Sequence, residues 1–427
     1  MKKYRLGDIA KVDISAIDKK TKEDETAVRL CNFTDVYYNW AITKNMYDGL
    51  MKASASDSDI ESFLLQKGMV AITKDSETRD DIGVAAYIAD DFNDVVLGYH
   101  CALIIPKEEL PEEERIYGKY LNALLHTKYA QKYFYNNATG SGQRYTLSKE
   151  SIEDMPVYLP SYKEQVLIGD YLSNIDKKIE VNNLINSELE ALAKQIFDYW
   201  FVQFDFPNKE GKPYKSSEGK MVWNETLKRE IPDGWEESCL EKCLDFANGI
   251  NYEKDVVGDK NYRIINVRNI TSSTIFINKD ELDIICLPSS QADKFIVKEE
   301  DLIIARSGTP GSIRLISSPK DVIYCGFIIK GTPKDYSHKY YLMYYIKQLE
   351  GTQATNTGGS ILNNVSQDTL NMVDILLPSK DILLKFNHKI EELFGLINNY
   401  QEQTNDLLRL RAFYLPLLLN GQYTIKD

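Results

Sequence analysis

Apolar residues recur in steps of three and four from Ser161 to about Phe204: Ile168, Leu172, Ile175 and Ile179, then Leu189, Ile196 and Trp200. The stretch has no proline, and no glycine after Gly169. Such spacing predicts one long helix whose seam faces a second helix. A shift of 218 positions supplies that partner: Pro160-Ser161 becomes Pro378-Ser379, and the seam becomes Phe386, Ile390, Leu393, Ile397, Leu407, Tyr414 and Leu418, without a gap. In mid-seam, Asn182 and Asn186 fall at core-type positions, matched by Tyr400 and Thr404. Either these polar residues fix the register, as a buried asparagine does in a coiled coil, or the seam drifts and Leu184 and Ile185 take over the packing.

The chain before each helix is patterned differently. Residues 27–36, 69–73, 83–88 and 102–105 are short β-type runs and predict strands. Residues 114–135 predict a helix with Tyr117, Tyr120, Leu121, Leu124 and Leu125 on its apolar face, preceded by an acidic turn that complements the helix dipole. Gly140 and Gly142 permit a turn carrying Ser141, Gln143, Arg144 and Tyr145. Ser148 predicts the cap of a short helix leading to a strand at 157–159. Residues 206–233 are polar, broken by Pro207, Gly211, Pro213, Gly219 and Pro232, and predict a linker.

Gly234-Trp235 then opens a second globular segment that repeats the first. Residues 67–74 answer to 299–306, Gly118-Lys119-Tyr120-Leu121 to His338-Lys339-Tyr340-Tyr341, and Thr139-Gly140-Ser141-Gly142 to Thr357-Gly358-Gly359-Ser360. The offset shrinks from 232 at Lys74 and Arg306 to 218 at Thr139 and Thr357, so a frame is kept while loop lengths change. That pattern suits two binding modules for different targets on one scaffold.

Composition narrows the class. With 43% hydrophobic and 27% charged residues over 427 positions, the chain suits two or three globular domains. The N-terminal residues lack the apolar core of a signal peptide and no run is long enough to span a bilayer, so the expected location is the cytoplasm, with no membrane partner. Six cysteines without a C-x-x-C pair and four scattered histidines predict reduced thiols and no metal site. A net charge of −13 opposes a uniformly basic nucleic-acid grip. Phosphate-loop, dinucleotide-binding, nucleophile-elbow and Asn/Asp-Pro-Pro-aromatic motifs are all missing from the sequence. These signs describe a chain that binds and does not catalyse.

The ordered set of Thr139-Gly140-Ser141-Gly142-Gln143, Leu159-Pro160 followed by Glu164-Gln165, residues 197–207 (FDYWFVQFDFP), Ile231-Pro232-Asp233-Gly234-Trp235 and Arg306-Ser307-Gly308-Thr309 resembles the specificity subunits of Type I restriction–modification enzymes. The second helix departs from the pattern, with Ile382-Leu383 where Glu164-Gln165 maps, and the second glycine turn continues as Ile361-Leu362-Asn363-Asn364. The resemblance implies an α+β fold: two duplicated globular target-recognition domains, at 1–160 and 233–378, separated by two long antiparallel coiled-coil helices, at 161–205 and 379–421, with a polar linker at 206–232. Each domain is then expected to read one half of a bipartite, asymmetric site in double-stranded DNA. The helices, at about 1.5 Å rise per residue, act as a ruler of roughly 60 Å.

The implied partners are two methyltransferase subunits and two restriction/translocase subunits. S-adenosylmethionine, ATP and Mg belong to them, and no cofactor to this chain. Base readers are expected on loops at matched positions: Lys74, Arg79, Arg144 and Tyr145 in the first domain, and Arg306, Ser307, Thr309, Arg314, Asn356 and Ser360 in the second, since arginine can bond a guanine edge and asparagine an adenine edge in two places. The tyrosines of 117–129 and 340–345 have helical spacing and are expected in cores. The aromatic cluster 197–206 and the stretch 415–419 are expected to form interfaces, within the subunit and with methyltransferase partners. Two other readings stay open: the specificity chain of a Type II system with a fused methyltransferase–nuclease partner, and a stand-alone two-domain DNA-binding regulator.

Overall fold

The computed structural model describes residues 2–141, 144–252, 258–348, 350 and 365–425. The chain divides into two compact units, Met1–Val181 with Asp406–Asp427, and Asn182–Asn405.

In the first unit, Lys2–Arg5 pairs antiparallel with Pro156–Leu159, which closes the globular part just before the long helix starts at Tyr162. Between them lies a sheet in the order Ala10–Ile14, Cys101–Pro106, Val70–Thr73, Ala85–Ile88, Ala41–Ile42. A smaller sheet runs Met51–Ala55, Thr26–Cys31, Val95–Leu97, the first pair antiparallel and the second parallel. Val70 and Ile72 enter a core with Tyr120, Leu121 and Phe134, while Ala71 enters another with Leu30, Val96 and Leu103. Both faces of the central strand are covered, which is why it reads as an unbroken apolar run and not as an alternation.

The second unit repeats this plan. Glu236–Cys239 pairs with Asp374–Leu377. One sheet runs Leu244–Asn248, Ile328–Pro333, Leu302–Ala305, Ile313–Arg314, and the other Asp283–Leu287, Lys260–Ile265, Val322–Tyr324. The parallel pair recurs at its corresponding place. Leu302 and Ile304 face one core, Ile303 and Ala305 the other. The repeat seen in the sequence is a repeat of topology.

Three local expectations change. The run at 27–36 is a strand only to Cys31, after which a capping box of Asn32 and Asp35 starts the helix Phe33–Tyr38; the Asn32 amide donates to Asp35 Oδ2 at 2.7 Å. The helix expected over 114–135 is two, Gly118–Leu125 and Lys128–Asn137, because the Thr127 side chain accepts from the Ala130 amide and caps a fresh start. The polar stretch 206–233 holds a hairpin, Met221–Asn224 against Arg229–Pro232, and Asp205 accepts from both the amide and hydroxyl of Ser216.

The long helices are Tyr162–Phe197 and Lys380–Leu419. In the first unit Tyr171 meets Tyr414 at 5.8 Å and Asp176 meets Arg411 at 3.1 Å, so one index falls as the other rises and the helices are antiparallel. In the second unit Phe197 lies 6.1 Å from Phe386, and Ala193 shares a core with Ile390 and Phe394. Of the expected seam, Ile168, Leu172, Ile175, Ile179, Phe386, Ile390 and Ile397 are buried, and Leu189, Ile196, Leu393 and Leu407 are partly so. Asn182 is fully buried, whereas Leu184 is exposed and Ile185 only half-buried. The seam runs through the asparagine and does not drift.

The first helix is fastened at its start. The Ser161 amide and hydroxyl both donate to Glu164 Oε2, at 3.0 and 2.7 Å. Buried Gln165 accepts from the Tyr117 amide at 2.9 Å and donates to the carbonyls of Arg115 and Pro160 at 3.0 and 3.3 Å. In the second helix Leu383 is buried in the core at the matching place. Gln165→Ala strands one amide and two carbonyls, so a loss of about 2 kcal/mol is expected in urea unfolding, and an unchanged midpoint rules this fastening out.

The aromatic cluster forms the expected interface within the subunit. The helix ends in a π-helical turn, Asp198–Val202, that turns both Trp200 and Phe201 inward. Phe197, Trp200, Phe201, Phe204 and Phe206 are covered by their own unit's Trp235, Tyr341, Tyr344 and Phe386. Leu418 and Leu419 are likewise buried in the core of the first unit. Tyr199 and Val202 in the first stretch stay exposed, as does Pro416 in the second.

Candidate nucleic-acid interface

In each unit one cationic residue follows a central strand and is held by two backbone hydrogen bonds. The Lys74 amide donates to the His100 carbonyl at 2.9 Å, and its carbonyl accepts from the Leu147 amide at 2.8 Å. The Arg306 amide donates to the Phe327 carbonyl at 2.9 Å, and its carbonyl accepts from the Val365 amide at 3.0 Å. These are the two residues matched by sequence. One backbone frame therefore presents different side chains in the two units.

In the first unit the four expected residues converge. Strand Arg144–Thr146 pairs with Asp75–Ser76, placing Tyr145 opposite Ser76. The Arg79 guanidinium lies over the Tyr145 ring at 5.0 Å. Gly140, at φ +139, sits against the Arg144 carbonyl, where a Cβ would approach to 2.1 Å, so the hairpin demands glycine there. Lys74 Nζ and Arg144 Nη2 both donate to Asp75 Oδ2, at 2.7 and 3.1 Å, and His100 Nδ1 lies 2.8 Å from the same oxygen. Burial pushes the Asp75 carboxyl up, but hydrogen bonds from Lys74, Thr146 and His100 outweigh it and hold it at about 2. Beside this hub runs an open groove of about 500 Å³ whose lining includes Phe33, Tyr37, Tyr38, His100 and Arg144.

Asp75, His100 and the aromatic wall were missed by the sequence reading. Asp75 adjoins an expected residue, and Tyr37-Tyr38 close a helix that the Asn32 and Asp35 pair announces. His100 gave no local signal, since its partners come from distant strands.

In the second unit Arg306, Ser307 and Thr309 occupy one loop, shaped by Gly308 and Gly311 at φ +78 and +84. Among the described residues the Arg306 side chain makes no hydrogen bond or ion pair, and the Thr309 hydroxyl has no partner. Arg314 is a correction. It is only 8% exposed, and its guanidinium donates to the Ser273 and Ile313 carbonyls and to Glu350 at 2.8, 2.6 and 2.9 Å, which leaves it bracing the core edge and not facing a ligand. Asn356, Ser360 and the second glycine turn lie outside the described residues, as do Gly142 and Gln143 of the first.

No described helix is long and apolar enough to cross a membrane, and no group of metal-ligating side chains gathers among the described residues.

Residues 1–191 match the family model for the Type I restriction modification DNA specificity domain. The Type I restriction enzyme MjaIX specificity subunit of Methanocaldococcus jannaschii is 24% identical over 369 residues, covering 85% of this chain and 79% of that one. The HindI specificity subunit of Haemophilus influenzae is 22% identical over 400 residues, covering 81% and 85%. In fold, the crystal structure of a Type I restriction–modification S subunit from M. genitalium aligns with a TM-score of 0.52 at 13% identity, covering 100% of this chain and 96% of that one.

Proposed function

We propose that this chain is a specificity subunit of the Type I restriction–modification family and that its two modules, residues 1–160 and 233–378, each read one half of a bipartite, asymmetric DNA site. The helix pair sets the spacer between the half-sites and carries two methyltransferase subunits, and two restriction/translocase subunits complete the complex in the cytoplasm. S-adenosylmethionine, ATP and Mg act in those partners. This chain contributes recognition and no catalytic group.

One observation carries the reading. Lys74 and Arg306 sit in the same pair of backbone hydrogen bonds, yet Lys74 is tied to a carboxylate and Arg306 has a free side chain among the described residues. A duplicated frame with divergent display is what two readers of different sequences require. The net charge of −13 fits a division of labour in which partner subunits make most phosphate contacts.

Methylome sequencing of cells with and without this chain, the methyltransferase being present, is expected to show a split motif with N6-methyladenine that depends on the chain. Replacing residues 1–160 with those of a relative changes one half of that motif and leaves the spacer alone. A methylome that is indifferent to the chain removes the reading.

A further inference from the structure

We infer that the first half-site contains a guanine read by Arg144, with Asp75 as the residue that positions the guanidinium; this rests on the specificity-subunit reading above. The argument begins from what is left exposed at the hub. Lys74 has spent its ammonium on Asp75, and its side chain is 14% exposed. Arg144 donates one Nη2 bond to the same carboxylate but keeps 57% of its side chain exposed at the groove. Asp75 braces the guanidinium at Nη2, beside the His100 ring, and leaves its other donors unspent. A braced, planar fork with free N–H groups suits two-point bonding to the O6 and N7 of guanine, and lysine cannot reproduce it.

The surroundings decide between a base edge and a phosphate. Asp75, Glu77 and Asp81 all line the groove, against the one exposed cation of Arg144. With Asp75 paired to Lys74, the Glu77 and Asp81 carboxylates still make a poor field for a phosphodiester but tolerate a neutral base edge carrying its own acceptors beside arginine. Opposite stand Phe33, Tyr37 and Tyr38, the last 77% exposed, with Tyr37 donating to Asp81 at 2.6 Å. An exposed aromatic at that place gains from contact with a base and nothing from water. In the second unit the matched positions hold Arg306, Ser307 and Phe327, and among the described residues no carboxylate is paired with the Arg306 guanidinium. The arrangement is particular to the first module, so it assigns a base to the first half-site alone.

The test uses the full chain in complex with its methyltransferase, with Arg144→Ala, Arg144→Lys and Asp75→Asn compared with wild type. Methylome sequencing is paired with binding to duplexes that vary one base pair at a time. Arg144→Ala is expected to relax one G·C position of the first half-site, lowering discrimination there by about 10- to 100-fold, while the second half and the spacer stay fixed. Arg144→Lys relaxes the same position although the charge is kept. Asp75→Asn weakens that position too.

An unchanged motif in Arg144→Ala overturns the inference. So does relaxation at an A·T position, or an equal loss of affinity for every duplex with a shallower salt dependence, which marks a phosphate contact. If Arg144→Ala methylates nothing, the duplex panel decides by the same criteria. The inference can fail in these ways while wild type still writes a chain-dependent split motif, so its failure is distinct from failure of the wider reading.

Discussion

Arg411→Ala is expected to cost the protein about 3 kcal/mol, and adding Asp176→Phe to return most of it. Arg411 reaches from the end of the second long helix to Asp176 on the first, at 3.1 Å, with both side chains about four-fifths covered. Its guanidinium also lies over Trp40 at 4.4 Å, and Trp40 stacks on the His126 ring at 4.2 Å. Removing Arg411 therefore opens a gap over Trp40 and leaves a covered carboxylate unpaired, with Glu180 raising its energy further.

The rescue is suggested by the repeat. The matched residues 218 positions away from Asp176 and 218 before Arg411 are Phe394 and Ala193, both buried in the core of the second unit. The same seam layer is thus ionic in one unit and apolar in the other, and the double variant copies the apolar version.

Acidity gives an independent readout. Burial pushes the Asp176 carboxyl up from 3.8 to about 6, against the pull of Arg411. A folded-state value above the unfolded one means the ionised group takes stability away above pH 6 and returns it as the pH falls from about 6 towards 3.8. In Arg411→Ala the opposing pull is gone, so the gain on acidification must be larger than in wild type. A urea midpoint equal to wild type at pH 7.5, with no added pH dependence, identifies the pair as solvent-screened and sinks the argument.

The parts of this protein legible in its sequence are those governed by short-range periodicity. The seams from Ile168 and Phe386, the Ser148 cap and the burial of Tyr120, Tyr340, Tyr341 and Tyr344 all follow from spacing within one or two turns, whereas Tyr129, expected in the core with them, is 44% exposed at the start of the second short helix. The failures share a different cause. Arg314 reads as a free loop cation until Glu350 and the Ser273 carbonyl close on it from other segments. The Asp75 hub gathers its neighbour Lys74, His100 from a turn and Arg144 from a distant strand. Four of the expected first-module residues were nevertheless found together, because matching the two repeats marks the ends of shared frame strands, and loops that leave such strands share an edge.

Asn182→Leu is expected to stabilise the protein by about 2 kcal/mol while loosening its choice of register. Asn182 is fully buried in the seam, and among the described residues neither its amide nitrogen nor its oxygen has a hydrogen-bond partner. The Asn186 oxygen and the Thr404 hydroxyl are likewise buried without partners among the described residues. Leucine at 182 removes the cost of two unmade bonds and adds apolar contact at a position the heptad already points inward. Such a layer persists against its own cost when it excludes alternatives, since a shifted pairing would set these polar atoms against leucine and isoleucine. Thermal unfolding therefore rises in Asn182→Leu. The methylome is expected to gain sites with a second spacer length beside the original one. A midpoint that falls shows the amide to be satisfied after all. A midpoint that rises with a single spacer shows that the loops and modules hold the register without help, leaving the asparagine a cost that the helix pair tolerates.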